Sequence, residues 1–372
     1  MNQQNNKNTV KKTGRIRLNF IQVFRGLASL LVVLAHGSLI FHTNLQKSSW
    51  FDIFGFGGSG VDFFFVLSGF IIAYVHGKDI GQPTKLREFL YKRFIRIYPI
   101  YWLILTAKLV SSLGSSSVVL KEQGIFEFIK AYLLFPQDRN LLSSTFLGVS
   151  WTLSYEIFFY VLFCILICLS FIFYAPIITI WILGVLLNFT GIIKIPESNV
   201  VLNFLFNPLN LEFIFGCFAA YLVSQSRFHT IQNSLYRSLL YIGLFLYTLS
   251  AINTYYRIIP ISSVIAYGIP STLLVIGAVS LEMTKVINFP ALLILFGDAS
   301  YSIYLIHGFV MNNITRIAMK LNAIDFLSSN IFLFSLFALF NAVCGVIVGC
   351  FMFLYLEKPL LLMMKPKHVK ST

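Results

Sequence analysis

Apolar stretches of about 20 residues, each enough for a helix to cross a bilayer, recur in this chain from Phe20 almost to the C-terminus. Lipid offers no hydrogen bond to a backbone amide, so each stretch has to satisfy its own backbone by coiling into a helix. Ten spans are read this way, over about 20–42, 60–77, 95–113, 148–173, 176–193, 208–224, 236–253, 261–282, 299–318 and 331–356. The expected fold is therefore an all-α polytopic membrane protein, a bundle of about ten transmembrane helices with no soluble domain. A composition 57% hydrophobic and only 11% charged leaves little of the 372 residues for a water-soluble unit. The chain divides into a basic N-terminal tail (1–19), a transmembrane domain (20–357) and a basic C-terminal tail (358–372). The short apolar piece "FPALLILFGD", 289–298, is read as an interfacial element leading into the ninth span.

The tail "MNQQNNKNTVKKTGRIR" precedes an apolar run, as in a signal peptide. Arg25 interrupts that run, however, and no small-residue cleavage site follows His36. The first run is expected to remain as a span. Ten spans put both termini on one side, and the positive charges say which side. Of the 28 Lys and Arg, eight fall outside if the N-terminus is inside (Lys47, Lys121, Lys130, Arg139, Lys194, Arg257, Arg316, Lys320), two lie within spans (Arg25, Lys108), and the other eighteen are cytoplasmic. Both termini are thus expected in the cytoplasm, with the protein in the plasma (inner) membrane. Topology and anionic headgroups account for most of the +14 net charge, so no nucleic acid is expected as a partner. All five cysteines (Cys164, Cys168, Cys217, Cys344, Cys350) lie in apolar stretches without metal-ligand spacing; packing is their expected role, and no metal is assigned.

An ionisable side chain at membrane depth costs several kcal/mol by most estimates, so each one marks a candidate site. Arg25, His36, Asp62, Lys108, Glu156, Glu212, Asp298 and His307 are such residues. Lys108 can snorkel to an interface. Arg25 and His36 in "RGLASLLVVLAH" are eleven residues apart, roughly 20° past three helical turns, which puts them on one face about 16 Å apart in depth. Standing alone, Arg25 also fits ordinary positive-inside snorkelling, and His36 a histidine bonded to a neighbouring helix. A neutral imidazole deep in a span suits proton abstraction. Glu156 of "WTLSYEIFFY" falls at a similar outer depth, and a carboxylate meeting His36 would fix its tautomer; a structural salt bridge is the plainer role. Ser300, Tyr304 and His307 follow i, i+4, i+7 spacing and should face a cavity. Asp62, Glu212 and Trp151, towards the outer ends of their spans, are read as acceptor-binding or structural polar positions. Arg93 and Arg96 in "RFIRIYPIYW" form an i, i+3 guanidinium pair suited to a polyphosphate or to lipid headgroups. "GFGGSG", Gly55 to Gly60, matches a dinucleotide fingerprint but has no strand-turn-helix around it, so it is read as a flexible outer turn.

Six segments in order, "FRGLASLLVVLAH", "GVDFFFVLSGFII", "RFIRIYPIYW", "WTLSYEIFFY", "EFIFGCFAAY" and "GDASYSIYLIH", resemble the acyltransferase-3 family of integral membrane O-acyltransferases, which modify lipopolysaccharide O-antigens and exopolysaccharides. The resemblance covers about 20–357. "WTLSYEIFFY" is most similar to the exopolysaccharide-modifying branch, with Ile157 where other members often carry a second Glu. The resemblance implies a cytoplasmic acyl-CoA donor, acetyl-CoA by default, and a hydroxyl of an exported glycan or glycolipid as acceptor. Set beside that implication, Arg25, Arg93, Arg96, Tyr304 and His307 are placed at the donor and His36, oriented by Glu156, in catalysis. His36 then acts either as general base or as an acyl-histidine relay. A transporter or flippase of glycan precursors is the rival from another class, because a ten-span bundle with midplane charges also suits alternating access.

The charge count makes a topological prediction. In a cysteine-free background, Ser116→Cys should react with an impermeant thiol reagent on intact cells, and Ser371→Cys only after permeabilisation. The reverse pattern would invert the topology.

Overall fold

The structure is a computed structural model describing residues 18–46, 49–113, 124–196, 198–225, 233–285 and 287–364. Most of the two tails (1–17 and 365–372) and the loop 114–123 lie outside the described residues. Every regular element described is helical. In chain order these are α1 (Asn19–Leu45), a 3-10 helix (Trp50–Gly58), α2 (Ser59–His76), α3 (Leu86–Leu113), α4 (Ile125–Tyr132), α5 (Arg139–Ser144), α6 (Ser150–Cys168), α7 (Phe171–Phe189), α8 (Val200–Leu205) and α9 (Asn210–Ser224). There follow α10 (Asn233–Tyr256), α11 (Ile269–Thr284) after a π turn (Val264–Gly268), α12 (Ala291–Asp298), α13 (Ser300–Lys320), α14 (Ala323–Ser328), α15 (Ile331–Met352), a second π turn (Phe353–Glu357) and α16 (Lys358–Met363). Among the described residues nine helical stretches are long and apolar enough to span a membrane, or ten if α12 and α13, bent by 71°, form one broken span. The five cysteines are free and partly buried.

Four local expectations change. The third helix begins at Leu86 rather than near residue 95. Pro83 opens the 3-10 turn before it, and Glu88 pairs with Lys92 one turn on, so its first turns hold outside the apolar run. The stretch 148–173 ends sooner, at an extended Leu169, and Pro176 lies inside α7 instead of opening it. Gly55 to Gly60 do not form a flexible turn; they belong to the 3-10 helix and the start of α2. A Cβ on Gly57 would lie 2.3 Å from the Leu31 oxygen, and one on Gly60 2.5 Å from the Ala28 oxygen, so these glycines admit α1 at close range. The described part of the expected outer loop, 124–147, folds back onto α3: Tyr101 Oη donates to Ala131 O at 2.6 Å and Trp102 Nε1 to Tyr132 O at 2.9 Å.

Without a hydrophobic force between helices in lipid, close backbone approach decides which helices pack. On α1, Gly26 meets α12, where a Cβ on Gly297 would lie 2.1 Å from the Gln22 oxygen. That contact sets Arg25 beside the bend between α12 and α13. On α2, Gly69 and Gly216 of α9 interlock: a Cβ on Gly69 would sit 2.0 Å from the Phe213 oxygen, and one on Gly216 equally close to the Val66 oxygen. Gly69→Ala should therefore force two backbones apart and lower stability by about 1–3 kcal/mol, the usual range for overpacking. Thermal melts in detergent check this, with Gly308→Ala, which meets nothing within 4 Å, expected to leave the midpoint unchanged.

Candidate active site

A cavity of about 440 Å³ lies between α1, α2, α3, α6 and α13. Its α2 wall runs from Val61 to His76, which is roughly 22 Å of helix. The His76 end carries Lys92 and Arg93 from α3; Arg96 lies one turn farther in, and Arg25 of α1 is deeper still, since its neighbour Phe24 meets Phe63 of α2 with ring centroids 5.3 Å apart. Towards Val61 the lining changes to Phe64, Phe65, Thr152 and Tyr304. The cavity is thus cationic at one end and mostly apolar and aromatic at the other.

Each cation is held differently. Arg96 pairs with Glu357 at 2.5 Å, and the second Glu357 oxygen accepts from Ser302 Oγ at 2.6 Å. Glu357 is fully buried. The Arg93 guanidinium lies 5.4 Å from the Phe89 ring centre and 5.3 Å from that of Tyr160, and its Nε takes no hydrogen-bond partner among the described residues. Among the described residues Arg25 hydrogen-bonds Gln22 Oε1, at 3.5 Å. Two of the four cations are therefore left with capacity for an incoming anion.

The structure separates Glu156 from His36. Glu156 accepts from Tyr160 Oη at 2.5 Å and lines the cavity together with Arg25 and Arg96. His36 instead bonds Val32 O through Nδ1 at 2.9 Å and sets its ring against His307, centroids 4.9 Å apart at 77°. The helical repeat gave both residues a depth, but not the neighbour each meets. His307 also differs from expectation: it does not line the cavity but stands between His36 and Tyr304, whose ring is 6.0 Å away. Its Nδ1 bonds Ile303 O at 3.1 Å, and its fully buried Nε2 has no partner among the described residues. With both Nδ1 atoms donating to carbonyls of the preceding turn, the two Nε2 atoms carry lone pairs. Ser300 and Tyr304 do line the cavity, and Tyr304 Oη bonds Thr152 Oγ1 at 2.8 Å.

Asp62 and Glu212 are buried with their carboxyls within hydrogen-bond reach of one another, and they line no described cavity. Trp151 lines a second, more polar cavity of about 370 Å³ on the far face of α6. Sequence reasoning missed Glu357 and His76, which lines the cavity and bonds Asp79 through Nδ1 at 2.7 Å. A signal for Glu357 existed, since it is the acid that ends the last long apolar run, "FMFLYLEKP".

Comparison with known proteins bears on this geometry. A family model described as an acyltransferase domain matches residues 18–355. The chain belongs to the acyltransferase-3 family. It is 27% identical over 334 residues to the exopolysaccharide production protein ExoZ of Rhizobium meliloti (strain 1021), covering 87% of this chain and 94% of that one. It is also 36% identical over 90 residues to protein 2 in the picA locus of Rhizobium radiobacter, covering 24% of this chain and 42% of that one. No solved structure matches significantly. Family membership implies acyl transfer by a multi-pass membrane protein, and the cavity lies within the matched region.

Glu357→Ala should strand Arg96 among apolar helices and lower stability by about 3–5 kcal/mol, as for one partner lost from a buried pair. Adding Arg96→Ala should recover part of that loss. Detergent melts of the two single variants and the double variant measure the coupling.

Proposed function

We propose that this protein is an O-acyltransferase that takes an acyl group, acetyl by default, from cytoplasmic acyl-CoA. The acceptor is a hydroxyl of an exported polysaccharide or its lipid-linked precursor. One observation carries the proposal: a cavity roughly 22 Å deep along α2, cationic at one end and aromatic at the other, with a histidine pair behind Tyr304 at the aromatic end. The shape matches a donor with a polyphosphate head and an extended thioester arm. Arg93, with Lys92 beside it, would take the phosphates; Arg96 is tied to Glu357, and Arg25 would lie deeper along the thioester arm. Kinship with a protein named for exopolysaccharide production supports the acceptor class.

In this mechanism Tyr304 and His307, which stand between His36 and the cavity, move aside to admit the substrates, and His36 Nε2 then removes the proton of the acceptor hydroxyl as its oxygen attacks the thioester carbonyl. The C–S bond then breaks, and the imidazolium returns the proton to the departing thiolate. His36 is oriented by the Val32 carbonyl and the His307 ring, in place of a carboxylate. Glu156 faces the donor cavity beside Arg25, so its contribution would be to donor seating. An acyl-His36 intermediate would use the same atom as nucleophile.

Arg93→Ala should raise the donor KM about 10- to 100-fold, the equivalent of one charge-assisted contact, and change kcat less. His36→Ala should lower kcat about 10²- to 10⁴-fold while acyl-CoA still binds. Reconstituted protein with labelled acetyl-CoA reports both. Near wild-type turnover in His36→Ala would remove it from catalysis, and an unchanged donor KM in Arg93→Ala would remove the phosphate site. In a deletion strain, the glycan should lose its acyl mass and still be exported; loss of export would favour a transporter.

A further inference from the structure

The second cavity lies back to back with the first. Its walls come from the segment before α5, the first two turns of α6, and α8. Trp151, Ser154 and Tyr155 of α6 face it, whereas Thr152, Glu156 and Tyr160 face the cationic cavity. On a helix these two sets lie on different faces. Between the cavities stands Phe65, which lines the first and touches the rings of Trp151 and Tyr155, at centroid distances of 6.2 and 5.4 Å.

We infer that this second cavity binds a sugar ring of the acceptor glycan. The inference rests on the acyl-transfer function proposed above and names where its second substrate sits. The chemistry differs from that of the cationic cavity. Asp138 and Arg139 bring one charge of each sign, so the site has no net attraction for a polyphosphate. Around them stand the amides of Gln137 and Asn203 and the ring of Trp151, one face of which Arg139 covers; Tyr155 is buried against Phe204 with ring centroids 4.3 Å apart. A pyranose presents the complement, with a rim of hydroxyls for the amides and the two charges and an apolar C–H patch for the part of Trp151 that Arg139 does not cover.

The arrangement is built rather than incidental. Gln137 is 8% exposed, and its Nε2 donates to both the backbone oxygen and Oε2 of Glu127, at 3.0 and 2.7 Å. The Oε1 atom is left buried with no partner among the described residues, an acceptor awaiting a hydroxyl. Hydrogen bonds from Lys130 and Gln137 hold the Glu127 carboxyl below its usual pKa, so this anchor stays charged at neutral pH. The Arg139 guanidinium lies 3.8 Å from the Trp151 ring centre, which steadies its edge for hydrogen bonding to the sugar rim. Acceptor and donor would thus lie on the two sides of a single α6 segment, and the reacting hydroxyl, on this ring or its neighbour in the glycan, would have to pass Phe65 to reach the donor.

The test uses the full-length protein in detergent and, as probe, alkali-deacylated oligosaccharides from the host strain's own surface polysaccharide. Trp151→Ala and, separately, Asn203→Leu should each weaken oligosaccharide binding at least tenfold by saturation-transfer NMR without donor. Acetyl-CoA binding should stay within twofold, which also shows the variants are folded; Trp151→Phe should keep most of the oligosaccharide affinity. Unchanged oligosaccharide binding in both weakening variants, or an equal loss of acetyl-CoA binding, would overturn the assignment. If the wild-type protein binds the oligosaccharide and both variants lose it, yet no acyl group is transferred, the sugar site stands and the acyltransferase function falls.

Discussion

A guanidinium drawn into an apolar helix bundle has to be answered by an anion, and in this protein Arg96 on α3 is answered by Glu357 at the end of the last long helix. The pair joins residues 261 positions apart in sequence, and Ser302 on α13 completes it. Three elements that bound the cationic end of the large cavity are thereby tied at one point. Removing either partner leaves the other charged in a medium that solvates it poorly. The π turn Phe353–Glu357 delivers the carboxylate here, as local irregularities in helices often do at functional sites.

Backbone proximity sets the rest of the frame. Gly26 and Gly297 let α1 lie on α12, so Arg25 stands where α12 bends sharply into α13. The same α1 face carries His36 farther along, against His307 on α13. Arg25 and His36 thus stand at two depths along α1, one beside the bend that opens α13 and the other against His307 within it. Arg25 lines the cavity, while His36 stands behind its aromatic end, separated from it by His307 and Tyr304. His307 is fully buried and His36 partly so, and with their Nδ1 atoms tied to carbonyls each leaves a basic nitrogen, which suits proton transfer.

Helix α6 divides the two cavities. Its first two turns offer Thr152 and Glu156 to one and Trp151 and Tyr155 to the other, so a single short motif lines two chemically different spaces. Segment 124–149 completes the second cavity only because Tyr98, Tyr101 and Trp102 pin it to α3 through backbone carbonyls. A loop free of those bonds would not hold Gln137 in place.

The sequence by itself determined the fold class and the family. Span length and hydropathy are local, one-dimensional properties, and lipid leaves a long apolar run little alternative to a helix. It also marked Arg25, Arg93, Arg96, Glu156 and Tyr304, because charge and periodic polarity are conspicuous in apolar runs, and all five line one cavity. Only the tertiary structure decided who meets whom. His36 faces His307 rather than Glu156, Arg96 meets Glu357, Asp62 lies beside Glu212, and Trp151 belongs to a different cavity from Glu156. Helical periodicity fixes the face and depth of a residue on its own helix. The rotation and slide of one helix against another are set by distant glycines and side-chain volumes, which a linear pattern does not encode.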